Sequence, residues 1–326
     1  MKTQILIGLC AALLISGCST APTHQSNQMW SHLQNFQRIA QQNQNQRSVG
    51  SAGGQASAAY ILNIAKATPF KAQMQPFKNR KGVVGQNIIV EITGRNPSQA
   101  IIIGAHYDSV EQGPGINDNA SGTAVLLSLL EQYAQSKKQP EFTLYLAFWD
   151  SEEEGIAGSH HFVQQLTSKQ VEAIQAYINV DMVGTRSPTA LVLDADKSSV
   201  AQFKAQMKAN GTAEADYLPL LQVFDSIKLH PKDAQLQDVL NAHFQQHHIA
   251  VREDLMTLLA SDSAAFLGKV PVASIILFNE KMQGDVLEFA PCYHQACDDL
   301  TQIDATSLHI AREAIIKLIT RLESGS

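Results

Sequence analysis

Four short stretches of this sequence carry side chains that could do chemistry together. They are His106-Tyr107-Asp108, Asn117-Asp118-Asn119, Glu152-Glu153-Glu154 and Asp181. A fifth, Tyr293-His294, lies between Cys292 and Cys297. Imidazole and carboxylate groups are the ordinary protein ligands of zinc and similar divalent ions. A glutamate beside them can carry a proton when its surroundings raise its pKa. Each stretch alone has a plainer reading. Asp118 fits a helix N-cap, a run of three glutamates fits a solvated face, and an aspartate after a strand fits a turn. Together they gather carboxylates that repel one another unless cations neutralise them.

The elements beneath them give that grouping its force. Short apolar runs at 87–92, 100–105, 142–148, 176–180, 190–193 and 272–278 read as strands buried on both faces. Helical patterns at 123–135 and 160–168 lie between them, with others at 30–44, 55–66 and 233–247. Alternating strands and helices predict a three-layer α/β/α sandwich with a mixed, mostly parallel central sheet. In such sheets ligands bind outside the carboxyl ends of the strands. The run 101–105 ends in His106, the run 144–148 leads into Trp149-Asp150-Ser151-Glu152-Glu153, and the run 177–180 ends in Asp181. Residues 196–256 are less regular and read as an excursion from the same domain. The glycines at 50–54 lack the lysine and spacing of a phosphate-binding loop.

The 326 residues are 44% hydrophobic and 17% charged, enough to bury a sizeable core. A net charge of −6 argues against nucleic acid as a partner. Eleven histidines against four cysteines argue against a thiolate cluster and leave imidazole–carboxylate ligation open.

The N-terminus reads as an address. Lys2 precedes an apolar stretch at 5–15, too short to span a bilayer, and Ile15-Ser16-Gly17-Cys18 follows. This resembles the bacterial lipobox, which implies a signal peptide at 1–17, acylation of Cys18 and a polar tether at 18–28. A plain secretory signal is the alternative. Ser19 after the cysteine resembles sorting to the outer membrane. The expected location is the bacterial cell envelope, with a lipid anchor in the membrane and a single domain at 29–326. Cys10 and Cys18 would then be spent, leaving Cys292 and Cys297 in an oxidising compartment. One disulfide closing a small loop or two buried free thiols would fit that count.

In order, H-x-D, N-D-N-A-S-G, F-W-D-S-E-E-E-G-I-A-G-S, N-V-D-M-V-G and C-Y-H-Q-A-C-D resemble metallopeptidase family 28 over roughly residues 45–320. The resemblance is strongest to the bacterial secreted double-zinc aminopeptidases. It implies a single α/β/α domain, two zinc ions per chain and peptide substrates with a free N-terminus. It further implies that Asp118 bridges the zincs, with His106 and Asp181 completing one site and Glu153 and His294 the other. Gly155 and Gly158-Ser159 set the register that makes Glu152 the base and leaves Glu154 at a variable position. Asp108 matches the partner that orients the His106 ring, Tyr293 the donor to the oxyanion, and the two cysteines a disulfide found in some members. There are departures. This chain reads Ser261-Asp262-Ser263 where members often carry Ser-Asp-His or Ser-Asp-Tyr, and Ala260 where some close relatives carry arginine. The resemblance is poor over 196–256.

Three rival readings remain. A glutaminyl cyclase of the same fold would generally keep one metal. A carboxypeptidase of the same superfamily would need an arginine cluster for the substrate carboxylate. A non-catalytic peptide-binding lipoprotein would have no reason to retain every ligand and Glu152.

Overall fold

The computed structural model describes residues 24–136, 138–283 and 286–325. The signal peptide, the acylated Cys18 and the start of the tether expected from the sequence lie outside the described residues. The chain runs α1 His24–Gln42, α2 Ala52–Lys66, β1 Lys71–Lys78, β2 Val84–Ile92, β3 Asn96–His106 and, after a π-helical turn Ile116–Ala120, α3 Ser121–Gln135. It continues through β4 Phe142–Trp149, α4 Ala157–Gln164, α5 Ser168–Ala173, β5 Ile174–Asp181 and β6 Thr189–Leu193. Three helices follow, α6 Ser198–Ala209, α7 Glu214–Ser226 and α8 Asp233–Gln246. Then come β7 Ala250–Asp254, β8 Val272–Phe278, a small hairpin of β9 Lys281–Gln283 and β10 Val286–Glu288, and α9 Ala305–Ser324.

An eight-stranded sheet has the order β1-β2-β4-β3-β5-β8-β6-β7. Its centre, β4-β3-β5-β8, is parallel, while β2 joins β4 and β6 joins β8 antiparallel. Side chains alternate along each central strand. Ile101 and Ile103 face the helices α1, α2, α3, α8 and α9, together with Leu144, Leu146, Ile178 and Ile275. Ile102, Ala147, Trp149, Tyr177 and Ile276 face the other way, towards α4, α6 and α7. Both faces are therefore covered, which is why these strands read as continuous apolar runs. This is the three-layer α/β/α sandwich with a mixed sheet expected from the sequence.

Several elements differ from expectation. The helix expected at 30–44 begins at His24, inside the stretch read as tether. The pattern at 160–168 is two helices, broken because the Thr167 side chain caps the second at the Gln170 amide. β1 has no counterpart among the expected strands: it is a polar edge strand, mostly exposed, with Pro76 within it. The irregular stretch 196–256 contains, besides the helix expected at 233–247 and found as α8, the unexpected α6, α7 and β7. Among the described residues, no helix is long and apolar enough to cross a membrane.

Candidate metal centre

Three adjacent parallel strands end on the same rim. His106 is the last residue of β3, Asp181 the last of β5, and Glu152 and Glu153 follow β4. Asp118 reaches this rim from the π-helical turn before α3, where the backbone leaves helical geometry at Asp118 and Asn119. Gly115 makes the turn possible. Its φ is +59°, and a Cβ there would lie 2.3 Å from the Asp118 carbonyl oxygen. Asn119 ties the turn to β5: its Nδ2 donates to Val180 O at 2.9 Å, and its Oδ1 accepts from Gly122 N.

The Asp118 carboxylate faces two imidazoles. Its Oδ1 lies 3.2 Å from His106 Nε2 and its Oδ2 lies 3.2 Å from His294 Nε2. Asp181 Oδ1 approaches His106 Nε2 at 3.5 Å, and Glu153 Oε2 approaches His294 Nε2 at 3.2 Å. Two donor triads result, His106–Asp118–Asp181 and Asp118–Glu153–His294, each with its donor atoms within 4.8 Å of one another. Glu153 Oε1 and Asp181 Oδ1 are buried and accept no hydrogen bond from the chain. Buried carboxylate oxygens left without donors, beside two imidazoles, fit divalent cations of the zinc type.

Asp108 stands behind this rim. Its Oδ1 is 3.3 Å from His106 Nδ1, and its carboxylate accepts the amides of Glu152 and Glu153 at 3.2 and 3.3 Å. Asp181 is held from the other side. Trp149 Nε1 donates to Tyr177 Oη at 3.1 Å, Tyr177 Oη donates to Asn179 Oδ1 at 3.0 Å, and Asn179 Nδ2 donates to Ser261 Oγ at 2.8 Å. Ser261 Oγ donates in turn to Asp181 Oδ2 at 2.8 Å. Gly104 leaves room for this chain, since a Cβ there would lie 2.3 Å from the indole nitrogen and 2.6 Å from the phenol oxygen. Thus Ser261, noted in the sequence only as part of a departing motif, acquires a partner. Asp262 beside it is buried, accepts Ser159 Oγ at 2.6 Å on one oxygen and has no partner on the other.

Electrostatics follow from burial. Burial pushes the Glu152 carboxyl well above its ordinary range, only partly offset by His106. Burial and then the Asp118 charge raise Glu153 to about 7. Burial opposes ionisation of Asp118, yet contact with His106 and His294 holds its carboxyl well below the usual range. Burial likewise opposes charge on His294, but Asp118 and Glu153 lift it to about 10.

His294 sits in a loop closed by a disulfide between Cys292 and Cys297. Cys292 and His294 both take left-handed backbone, φ 63° and 57°, which is uncommon outside glycine. The Tyr293 ring stacks on His294 at 3.8 Å. A cavity of about 290 Å³ opens beside these groups, lined by Met182, Met256, Ile276 and Phe289 on its apolar side. Two buried residues that the sequence did not bring forward also touch the loop carrying Asp118. They are Arg47, from a glutamine-rich stretch with no periodic signal, and Asp298, seen there only as the last letter of a motif.

Comparison with known proteins agrees with this architecture. The chain is 27% identical to leupeptin-inactivating enzyme 1 of Streptomyces exfoliatus over 98% of its own length and 66% of the relative's. It is 31% identical to the "Probable lipoprotein aminopeptidase LpqL" of Mycobacterium tuberculosis over 73% of its length and 44% of the relative's. The chain thus spans less than two thirds of the length of these curated relatives. Its fold matches a zinc aminopeptidase from Bacillus subtilis with TM-score 0.67 at 14% identity, covering 92% of this chain and 95% of that one. It also matches Porphyromonas gingivalis glutaminyl cyclase with TM-score 0.65 at 18% identity, covering 91% and 98%. A sequence profile of peptidase family M28 matches residues 87–319, the stretch that holds both donor triads, and the chain belongs to that family.

Proposed function

We propose that this chain is a zinc-dependent aminopeptidase, an exopeptidase that removes residues from the free N-terminus of peptides and is held in the bacterial envelope by a lipid on Cys18. The observation that carries the reading is the Asp118 carboxylate, one oxygen 3.2 Å from each of His106 and His294. That arrangement suits a ligand shared by two ions, with Asp181 on one side and Glu153 on the other. Paired zinc ions lower the pKa of water and polarise a peptide carbonyl.

The remaining steps belong to this chain's side chains. Glu152 is 9% exposed and lies on the cavity, with Oε2 4.0 Å from His106 Nε2. Its raised affinity for protons suits it to take one from the attacking water and deliver it to the leaving amine. Tyr293 lines the same cavity, and burial followed by the surrounding carboxylates raises its pKa, so its hydroxyl stays protonated and can donate to the developing oxyanion. Asp108 accepts the amides of both glutamates and lies 3.3 Å from the His106 ring, a placement suited to orienting that ring and keeping base and ligand in register. The substrate's α-ammonium would lie against the carboxylates, and the apolar wall of Met182, Ile276 and Phe289 would take its first side chain.

The lipid anchor rests on the Ile15-Ser16-Gly17-Cys18 sequence and on the relative named as a lipoprotein. The disulfide is in keeping with an oxidising compartment. A panel of aminoacyl-p-nitroanilides tests the activity. Leucyl substrate should be cleaved, N-acetyl-leucyl substrate should not, and a chelator should abolish turnover until zinc is restored. Failure with every free-amine substrate would overturn this reading, and saturation at one metal with cyclisation of N-terminal glutamine would replace it with the cyclase. Intact-mass analysis of membrane-extracted protein should show a chain beginning at lipidated Cys18; a soluble product cut elsewhere would remove the anchor.

A further inference from the structure

Two buried side chains, a guanidinium and a carboxyl, hold the backbone of one loop. Arg47, in the connection between α1 and α2, is 0% exposed. Its Nε donates to Pro114 O at 2.7 Å, its Nη2 to Gly115 O at 2.5 Å, and its Nη1 to Tyr107 O. Its backbone amide donates to Ser109 Oγ at 2.9 Å, and the Phe36 ring lies against the guanidinium, 5.3 Å from Cζ. Asp298 is 2% exposed and directly follows Cys297. Its Oδ1 accepts the Asn117 amide at 2.9 Å and its Oδ2 the Asp118 amide at 3.0 Å. Its carbonyl accepts the Ile116 amide at 3.1 Å.

The loop between His106 and Asp118 therefore presents carbonyls to a cation and amides to an anion. Each charge satisfies the end of the peptide dipole that suits it. Burying a guanidinium among carbonyls is costly, and burial lowers Arg47 to about 10 despite the nearby acidic groups. Such an arrangement is intelligible where a backbone segment must not move. Here that segment carries the carboxylate whose two oxygens must face His106 and His294 at once. Asp298 adds a second constraint, because it ties the Asp118 amide to the chain emerging from the disulfide loop that bears His294.

We propose that Arg47 and Asp298 are positioning residues for Asp118, together fixing the peptide planes from which its carboxylate projects towards both histidines. This rests on the reading of Asp118 as a shared metal ligand. Arg47 lies outside the stretch 87–319 that defines the family match, so the device reaches beyond the family's matched region.

The test uses full-length Arg47→Met, Arg47→Lys and Asp298→Asn proteins. Zinc affinity is measured by competition with a chromogenic chelator, alongside Tm, kcat and KM. Groups that support metal ligands are typically worth 10–100-fold in metal affinity. Arg47→Met and Asp298→Asn should each weaken zinc binding by about that factor, with the loss of activity falling mainly in kcat. Arg47→Lys keeps the charge without the three-way fork and should recover part of the affinity. Ile315→Val, in the core beneath α9, serves as the control; it should lower Tm and leave zinc affinity unchanged. If the Arg47 and Asp298 variants match Ile315→Val in Tm yet hold zinc as wild type does, the proposal is overturned. Should Arg47→Met fail to fold, Arg47→Lys and Asp298→Asn decide by the same comparison. Wild-type protein that takes up no zinc overturns the metal-site reading as well, whereas variants equal to a zinc-binding wild type overturn only the clamp.

Discussion

Replacing each of the three consecutive glutamates by glutamine separates three environments that look interchangeable in sequence. Glu152 lies on the cavity, buried, and belongs to neither donor triad. Glu152→Gln keeps shape and removes proton affinity. A positioned acid–base group is worth ~10²–10⁴ in rate, or ~2.7–5.4 kcal/mol of barrier at about 1.36 kcal/mol per decade. The variant should lose kcat by that factor while its zinc content stays near wild type. Glu153 has its Oε2 3.2 Å from His294 Nε2, so Glu153→Gln should lose zinc and activity together. The Glu154 side chain is 22% exposed and pairs with Lys81 at 2.5 Å, towards the turn between β1 and β2. An exposed pair of this kind is worth ~0–1 kcal/mol, and Glu154→Gln should stay within about twofold of wild-type activity. The assay is steady-state hydrolysis of leucyl-p-nitroanilide with zinc measured by elemental analysis on the same preparations. A crippled Glu154→Gln beside a normal Glu152→Gln would refute the register. Glu152→Gln losing zinc in step with activity would refute its assignment as base.

Three further outcomes follow from the same geometry. Dialysed protein should hold close to two zinc ions per chain, Asp118→Asn should weaken both and His294→Ala chiefly one; equal loss in the two variants on zinc titration would contradict the shared carboxylate. Replacing Cys292 and Cys297 by serine opens a loop of only five-residue separation, so Tm should fall modestly while activity falls far more, because the loop holds Tyr293 and His294; a large Tm loss with intact specific activity at low temperature would refute this. In chelated protein, burial followed by Asp108 raises Asp150 to about 7, and burial raises Asp262 to about 7. Folded carboxyls with raised pKa values hold protons that the unfolded chain has released, so stability should drop as pH climbs from about 4 to about 7. Differential scanning fluorimetry in chelator should therefore give a higher Tm at pH 5 than at pH 8, and the opposite order would overturn the argument.

How much of this could be read from residues alone depended on where the signal lay. β3, β4 and β5 are buried on both faces, so their apolar runs stood out and located His106, Glu152, Glu153 and Asp181 at strand ends. β1 escaped because an edge strand with one solvated side needs no apolar run; Lys71, Gln73, Gln75 and Lys78 read as loop. α6 escaped because partial burial leaves little periodicity, and it has no buried residue; α7 escaped because Pro219 lies inside it and the exposed Leu218 and Val223 blur the buried stripe of Tyr217, Leu221 and Phe224. Arg47 and Asp298 were invisible for a different reason. Their burial is created by segments 60–181 residues away in the chain, and nothing local distinguishes them from surface charges. The network at Asp181 was similarly hidden, since Ser261 meets Asn179 only when the turn before β8 folds over the end of β5.

The chain from Trp149 to Asp181 has a direction. An indole nitrogen can only donate, so the phenol of Tyr177 must accept from it and give its own hydrogen to the Asn179 carbonyl. That fixes which end of the Asn179 amide faces Ser261, and the serine hydroxyl is left with one hydrogen, pointed at Asp181 Oδ2. Every link is thus polarised the same way, and the lone pairs of Asp181 Oδ1 stay free. An amide in the middle and an indole at the head cannot exchange protons along such a line. It works as a compass needle for Asp181 and is closed as a proton wire. On the function proposed above, proton exchange is therefore left to the cavity side, where Glu152 lies, and the sheet beneath Asp181 can be packed dry.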